Sequence, residues 1–338
     1  MPGPGAPKRA CKAATLILTP MTTASEVPTT RGELEGDEAF ETLRRTGRRR
    51  LLMDAVKRFR AADGFSHSRA LAFQITLTLL PAVIAVVGFA AALGQEDFTR
   101  IVRDTILDLT PGATGEILTD ALRHGSESGH ESGETALAAG GLAALIAGTS
   151  AMGQIERGAN RIYGVERDRP FAHKYSTALG LALTAGVLGL LSLVVLMGGA
   201  ALREALDLGS TFDVVWRVAR WPLGVVLAIG SVALLFEYAP RRRQPEASWL
   251  AFGAGVSVIL FLVFMAVLAL YMDATDSFGA TYGPIAGTIG VLLWTFLTAI
   301  ALFLGLAFAA QLEAVRAGVP EPRVEVQADG TRAETSRL

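Results

Sequence analysis

The stretch ASWLAFGAGVSVILFLVFMAVLALYM, Ala247 to Met272, holds no charged side chain over 26 residues. A helix rises about 1.5 Å per residue, so crossing a hydrocarbon core of about 30 Å takes roughly 20 apolar residues. A backbone in lipid meets no water, and its N–H and C=O groups are satisfied within a helix or a closed barrel. So long and uniform a run reads as a membrane-spanning helix. Five more uncharged runs repeat the signal: Ala70 to Gln95, Thr135 to Gln154, Tyr175 to Leu202, Trp221 to Phe236 and Ser277 to Leu312. The Trp221 run is the shortest, and Tyr238 and Ala239 extend it past Glu237 to an interfacial end. The expected fold is an all-α integral membrane protein, a bundle of six transmembrane helices. The spans fall at about residues 72–94, 135–154, 177–200, 221–239, 248–272 and 284–311, within a membrane domain of 51–314.

Composition agrees. The chain of 338 residues is 51% hydrophobic and 19% charged, unusual proportions for a soluble chain. Cys11 is the single cysteine, which excludes an internal disulfide and a cysteine-based metal site. Pro2, Pro4, Pro7 and Pro20 mark residues 1–50 as a disordered tail, and the apolar patch Ala13 to Thr19 is too short for a signal sequence. Met21 is a second candidate start, and residues 315–338 are expected to form a disordered C-terminal tail.

The net charge of −1 hides a segregation that sets the orientation. Arg44 to Arg69 before the first span, Arg157 to Lys174 after the second, Arg241 to Arg243 after the fourth, and Arg316 and Arg323 after the sixth all fall on one side. The intervening loops are acid-rich or mixed. The positive-inside rule then predicts both termini in the cytoplasm. Leu51, Leu52, Ala55, Val56, Phe59 and Ala62 recur at helical spacing, with Lys57, Arg58 and Arg60 on the polar side. They predict an N-terminal interfacial amphipathic helix against an anionic leaflet. On the far side, Ile101 to Leu109 and Ile117 to Leu122 flank Pro111-Gly112 and predict short helices in the first extracytoplasmic loop, joined to span two by a flexible link over Gly125 to Gly133.

The spans keep charge away from mid-depth, which argues against a proton relay. Gln74, Thr76 and Thr78 in span one, Thr149 and Ser150 in span two, and Thr295 in span six are candidates for a polar path or for interhelical packing. Pro81 frees a backbone carbonyl in span one. Gly140, Ala144 and Gly148 form a ladder of small residues, and Gly283-Pro284 opens span six. No catalytic constellation stands out. His130-Glu131-Ser132-Gly133-Glu134 fails the zinc-protease pattern at its fifth position, and no phosphate loop or nucleophile elbow occurs. The expectation is a protein without enzymatic activity, cofactor or metal. The Arg241 to Arg243 run beside a span reads as a topology signal rather than a nucleic-acid site.

Four segments, Asn160 to Val165, Ala70 to Pro81, Tyr238 to Arg242 and Tyr282 to Gly305, together resemble the YihY/BrkB family of bacterial inner-membrane proteins. Asn160-Arg161-Ile162-Tyr163-Gly164-Val165 is similar to its LNRIWGV signature. Ala70 to Phe73 with Leu79 to Pro81 resembles ALAYY…LSLFP, and Tyr238 to Arg242 resembles YAPNR. Tyr282 and Gly283, then Leu293 and Trp294, then Leu304 and Gly305, resemble YGS…LLWLY…LLGAE. Two places that often hold Glu and Asn in the family hold Ala307 and Ala309 here, and Pro284 replaces a common Ser. The resemblance implies a six-span bundle in the bacterial cytoplasmic membrane, with ribonuclease surviving only as an old family name. It places Asn160, Arg161, Tyr163 and Gly164 at the cytoplasmic face. There Asn160 is expected to cap span two with its side chain, Arg161 to meet a lipid phosphate or a partner carboxylate, and Tyr163 to lie among headgroups. The function expected is movement of a lipid or small amphiphile through a bundle that sits in the bilayer, alone or as a homo-oligomer. The alternative is a structural or interaction role in the envelope.

Overall fold

The computed structural model describes residues 21–30, 36–92, 130–197, 210–274 and 285–326. Two short strands flank a set of helices. In chain order the elements are β1 (Met21–Ala24), α1 (Gly36–Thr46), α2 (Arg48–Ala61), α3 (Gly64–Ala92), α4 (His130–Ile162), α5 (Phe171–Leu181), a π-helical turn (Ala182–Gly186), α6 (Val187–Met197), α7 (Ser210–Tyr238), α8 (Ala247–Ala274), α9 (Ile285–Arg316) and β2 (Arg323–Val326).

Five segments among the described residues are long and apolar enough to cross a membrane: Leu137–Ile162, Phe171–Ser192, Val215–Tyr238, Ala247–Tyr271 and Ile289–Arg316. They match the second to sixth expected spans. The first expected span lies on α3, a 29-residue helix that runs through Pro81 but is not among those five. The outer surface of the bundle is apolar. Ile259, Val263, Val267 and Leu270 share one face of α8 and are all exposed, an arrangement suited to lipid rather than water. The expected outer-loop helices at 101–122, the link from Gly125 to residue 129, Tyr282, Gly283 and Cys11 lie outside the described residues. Residues 130–133, expected in that link, instead belong to the first turn of α4.

With no hydrophobic effect between helices in lipid, close packing and hydrogen bonds hold them together. α3 and α4 make the most extensive pair, and a Cβ at Gly140 would come within 2.8 Å of Ala85 N. The π turn between α5 and α6 is stapled to α7, where Ser231 Oγ donates to Ala185 O at 2.7 Å. Ser192 Oγ donates to Gly224 O at 2.7 Å, a second link between α6 and α7. α9 is the centre of the bundle and touches α1, α2, α3, α4 and α8. Its tightest contact is with α8. A Cβ on Gly305 would lie 1.8 Å from Ser257 Oγ and 2.8 Å from Ser257 N, and one on Gly253 would lie 2.5 Å from Ala309 Cβ. Glycine at 305 is thus required by backbone approach, and glycine at 253 leaves room for the Ala309 methyl.

Three expectations change. Within the stretch read as a disordered N-terminal tail the structure forms β1 and α1. Within the C-terminal tail it forms β2, antiparallel to β1 with Thr23 opposite Val324 and Ala24 opposite Arg323. A two-stranded ribbon is marginal alone; this one is held because the chain beyond it, Ser25 to Thr30, is anchored on the bundle. α1 buries Ala39 and Leu43, carries Asp37 and Glu38 in its first turn and Arg44 and Arg45 in its last, and so complements its own dipole. The third change concerns α2. Leu51, Ala55, Phe59 and Ala62 do share a face, but that face packs on protein, chiefly α9, while Leu52 and Val56 point outward. Arg58 is not on the polar side; it is fully buried with the apolar residues.

Gly305→Val is expected to lower the stability of the detergent-solubilised protein by at least about 2 kcal/mol, the scale of overpacking a close contact. A thermal unfolding curve checks this, and an unchanged midpoint would remove the tight α8–α9 crossing from the fold.

Candidate functional site at the charged end of the bundle

The C-terminal ends of α4, α7 and α9 and the start of α8 meet at one end of the bundle, and the sequence there is dense in charge. The local fold begins with how α4 stops. Gly164 has φ +74, Val165 N donates to Asn160 O at 2.8 Å, and Gly164 N donates to Arg161 O at 3.2 Å. This is a Schellman ending, for which a residue without a Cβ is favoured. Space demands glycine as well, since a Cβ there would lie 2.6 Å from Glu26 Cα.

The Schellman bonds satisfy the helix end through the backbone, so the Asn160 side chain is free to do something else. It does not cap span two as expected. Its Nδ2 donates to Asp168 Oδ1 at 3.0 Å, and its Oδ1 accepts Arg241 N at 2.7 Å. Lys174 Nζ holds the other Asp168 oxygen at 3.0 Å. Burial alone would raise the Asp168 pKa, but the hydrogen bonds from Asn160 and Lys174, with the Lys174 and Arg157 charges, hold it below the usual aspartate value. Arg169 closes the end of α7. Its guanidinium donates to the carbonyls of Ala239 at 2.7 Å, Pro240 at 2.9 Å and Tyr238 at 3.1 Å, a cation on the negative end of a helix. Buried Glu156 stands 3.5 Å from the same guanidinium.

A second layer joins these turns to α9 and to the N-terminal segment. Arg242 meets Glu313 through two bonds, Nη2 to Oε1 at 2.6 Å and Nη1 to Oε2 at 3.1 Å, with the two side chains 4% and 0% exposed. Thr30 Oγ1 donates to Glu313 Oε1 at 2.8 Å. The Arg242 guanidinium lies 4.5 Å from the centre of the Tyr163 ring, which is buried rather than set among headgroups. Burial and the Glu313 carboxylate push the Tyr163 phenol well above its usual pKa, so it stays protonated. Arg58 reaches four groups: Nε to Gln311 Oε1 at 2.8 Å, Nη1 to Ser25 O at 2.8 Å and Ile162 O at 3.2 Å, and Nη2 to Ser25 Oγ at 2.9 Å. Burial, with Arg242 nearby, lowers its pKa to about 10, so it remains a cation at neutral pH. Gln311 Nε2 passes the link on to Pro320 O at 2.7 Å, and Val27 N donates to Tyr163 O at 3.1 Å.

The structure therefore brings together Asn160, Tyr163 and Gly164 of one motif with Tyr238 to Arg242 of another. Arg161 is exposed beside them. The intramembrane candidates lie elsewhere. Thr76 Oγ1 sits 3.2 Å from Thr295 Oγ1 between α3 and α9, and both also bond carbonyls of their own helices, Ala72 and Leu292. Thr78, Thr149 and Ser150 bond the carbonyls of Gln74, Leu145 and Ile146. Trp294 is half-buried, and its carbonyl accepts Thr298 Oγ1 at 2.8 Å. Among the described residues no group of three or more His, Cys, Asp or Glu side chains is placed to hold a metal.

Arg58, Arg169, Gln311 and Glu313 carry the network without having been singled out as functional candidates. One signal was present. Arg58 stands seven residues after Leu51, three after Ala55 and four before Ala62, and so on the apolar stripe of α2.

Comparison with known proteins places this arrangement. The sequence profile described as Virulence factor BrkB matches residues 55–328. Over 258 residues the chain is 26% identical to the putative ribonuclease-like protein YfkH of Bacillus subtilis (strain 168), covering 75% of this chain and 92% of that one. Over 254 residues it is 26% identical to a UPF0761 membrane protein of Chromobacterium violaceum, covering 72% of this chain and 57% of the relative. A third relative, the UPF0761 membrane protein IL2447 of Idiomarina loihiensis, is 25% identical over 103 residues, 30% of this chain and 36% of its own length. No solved structure matches. The profile spans well over half of the chain and takes in every helix from α3 to α9, and the chain belongs to the Virulence factor BrkB family of membrane proteins.

Proposed function

We propose that this protein is a non-enzymatic, six-span bundle of the bacterial cytoplasmic membrane that moves a lipid or small amphiphile along the seam between α3, α4 and α9. The observation that carries the proposal is the Thr76–Thr295 pair, a hydroxyl contact between two long apolar helices at 3.2 Å. Thr78 lies toward α4, where a Cβ on Gly148 would be 3.9 Å from its Cγ2. The hydroxyls fold back on their own backbones, so the seam offers weak, exchangeable polarity that a passing headgroup can use without leaving a buried charge behind. Thr149 and Ser150 on α4 likewise bond the carbonyls of their own helix. α3 supplies the first of the six crossings, and its Pro81 leaves the Leu77 carbonyl without a helical donor.

Both termini are assigned to the cytoplasm because the arginine-rich segments gather at one end. A structural role in the envelope is the second reading. It is favoured by the knot at that end, whose side chains are occupied with one another. The ribonuclease label is said of YfkH, and among the described residues no group of three or more His, Cys, Asp or Glu side chains is placed to hold the metals such a reaction uses.

In vesicles reconstituted with the protein, transfer of a fluorescent phospholipid between leaflets should exceed that of empty vesicles, and Thr76→Val with Thr295→Val should slow it by about fivefold, the equivalent of one hydrogen bond. Wild-type vesicles no faster than empty ones, over several lipids and small amphiphiles, would leave the envelope role as the better reading. For orientation, a membrane-impermeant maleimide should miss Cys11 in intact cells and label it after lysis, provided that the N-terminal segment is present. Labelling in intact cells would reverse the assignment.

A further inference from the structure

The outward faces of α1 and α2 are unlike the rest of the charged end, because their cations are not consumed by the knot. Arg48, Arg49, Arg50, Lys57 and Arg60 are all exposed on α2, against one acid, Asp54, which meets Lys57 at 2.9 Å and Arg50 at 3.9 Å. Arg49, Arg50, Met53, Asp54 and Lys57 form one wall of a cleft of about 580 Å³ whose other wall is Pro320, Glu321 and Pro322, four to six residues past the end of α9, so that three cations in the lining stand against two acids, Asp54 and Glu321. A smaller cleft of about 240 Å³ continues the basic surface between Phe40, Leu43, Arg44 and Arg48.

Charge alone does not choose the occupant, but the neighbouring residues do. Leu52, Met53 and Val56 are exposed, as are Phe40 and Phe65. On a helix of 3.6 residues per turn, Leu52 and Val56 lie between the buried stripe and Arg49, so an apolar strip borders the basic one. A soluble polyanion uses the cations and leaves these side chains in water. A phospholipid uses both, placing its phosphate among the arginines and its first methylenes against the strip. The location fits as well: the cleft lies just past the end of the long apolar segment Ile289–Arg316, at the same end of the bundle as the arginine-rich turns.

We infer that the cleft between α2 and the Pro320 to Pro322 turn binds the headgroup of an anionic phospholipid, with Arg49, Arg50 and Lys57 on the phosphate and Leu52 and Val56 against the acyl chain. This site is separate from the α3–α4–α9 seam, and it stands whether or not the protein moves lipid.

The test uses the full chain purified in a neutral detergent and native mass spectrometry with added phosphatidylglycerol, phosphatidylcholine or glycerol 3-phosphate. The wild type should retain phosphatidylglycerol at least about tenfold better than phosphatidylcholine, and Arg49→Gln with Arg50→Gln and Lys57→Gln should erase the preference. Leu52→Ser with Val56→Ser should weaken phosphatidylglycerol and leave glycerol 3-phosphate unaffected. Arg243→Gln, which removes an exposed cation from the same end outside the cleft, should change neither. If the triple variant does not fold, Arg49→Gln alone should still reduce retention by about fivefold. Equal retention of the two lipids, wild-type retention by the cleft variants, or binding of glycerol 3-phosphate as tight as that of the lipid would each overturn the assignment.

Discussion

The structure hinges on a carboxylate that has nowhere to go. Glu313 is fully buried near the end of α9, and it is neutralised by Arg242 from the turn between α7 and α8. Removing two ions from water costs several kcal/mol each, and the loss is recovered only with good geometry and further hydrogen bonds. Both conditions are met here. The pair is bidentate, Thr30 supplies another donor, and the Arg242 guanidinium lies over the Tyr163 ring. Each requirement recruits a different part of the chain, so satisfying one charge fixes the end of α4, the α7–α8 turn, the end of α9 and the N-terminal segment relative to one another.

The family motifs gain a physical meaning from this arrangement. The glycine of Asn160 to Gly164 is needed for a left-handed turn and for the passage of the backbone at Glu26. The asparagine joins two loops, through Asp168 and the Arg241 amide. In the second motif, the carbonyls of Tyr238 and Ala239 receive Arg169, and Arg242 receives Glu313. Gly305 acts elsewhere, where α8 and α9 touch backbone to backbone. None of these roles requires a substrate. These motif residues build the scaffold.

The sequence made the second to sixth expected spans legible because lipid imposes one rule on every residue that enters it. Ala247 to Met272 could hardly be anything but a crossing helix, and charge segregation between loops grouped the ends that the structure brings together. What stayed hidden depended on long-range partners. Arg58 looked like one more cation on a polar face, although its spacing from Leu51, Ala55 and Ala62 put it on the apolar one. Its burial is tolerable only because Ser25, Ile162 and Gln311, up to 253 residues away, provide acceptors. The ribbon of β1 and β2 escaped notice for a related reason: four-residue strands at opposite ends of the chain carry little local signal and are held by what lies next to them. Asn160 and Tyr163 do lie together at the charged end, but Asn160 joins two loops instead of capping α4 and Tyr163 is buried instead of lying among headgroups, since sequence does not reveal which side chains the loops fold over.

The most direct test of this account is a double-mutant cycle on Arg242 and Glu313, read as unfolding free energy in detergent or bicelles. Arg242→Met leaves the Glu313 carboxylate buried without its counter-ion and should lose about 3–5 kcal/mol, while Arg242→Met combined with Glu313→Leu should regain most of that loss. Single substitutions that each lose less than about 1 kcal/mol and simply add would show that the pair is an exposed, weakly coupled contact, and that the end of the bundle is held by something else.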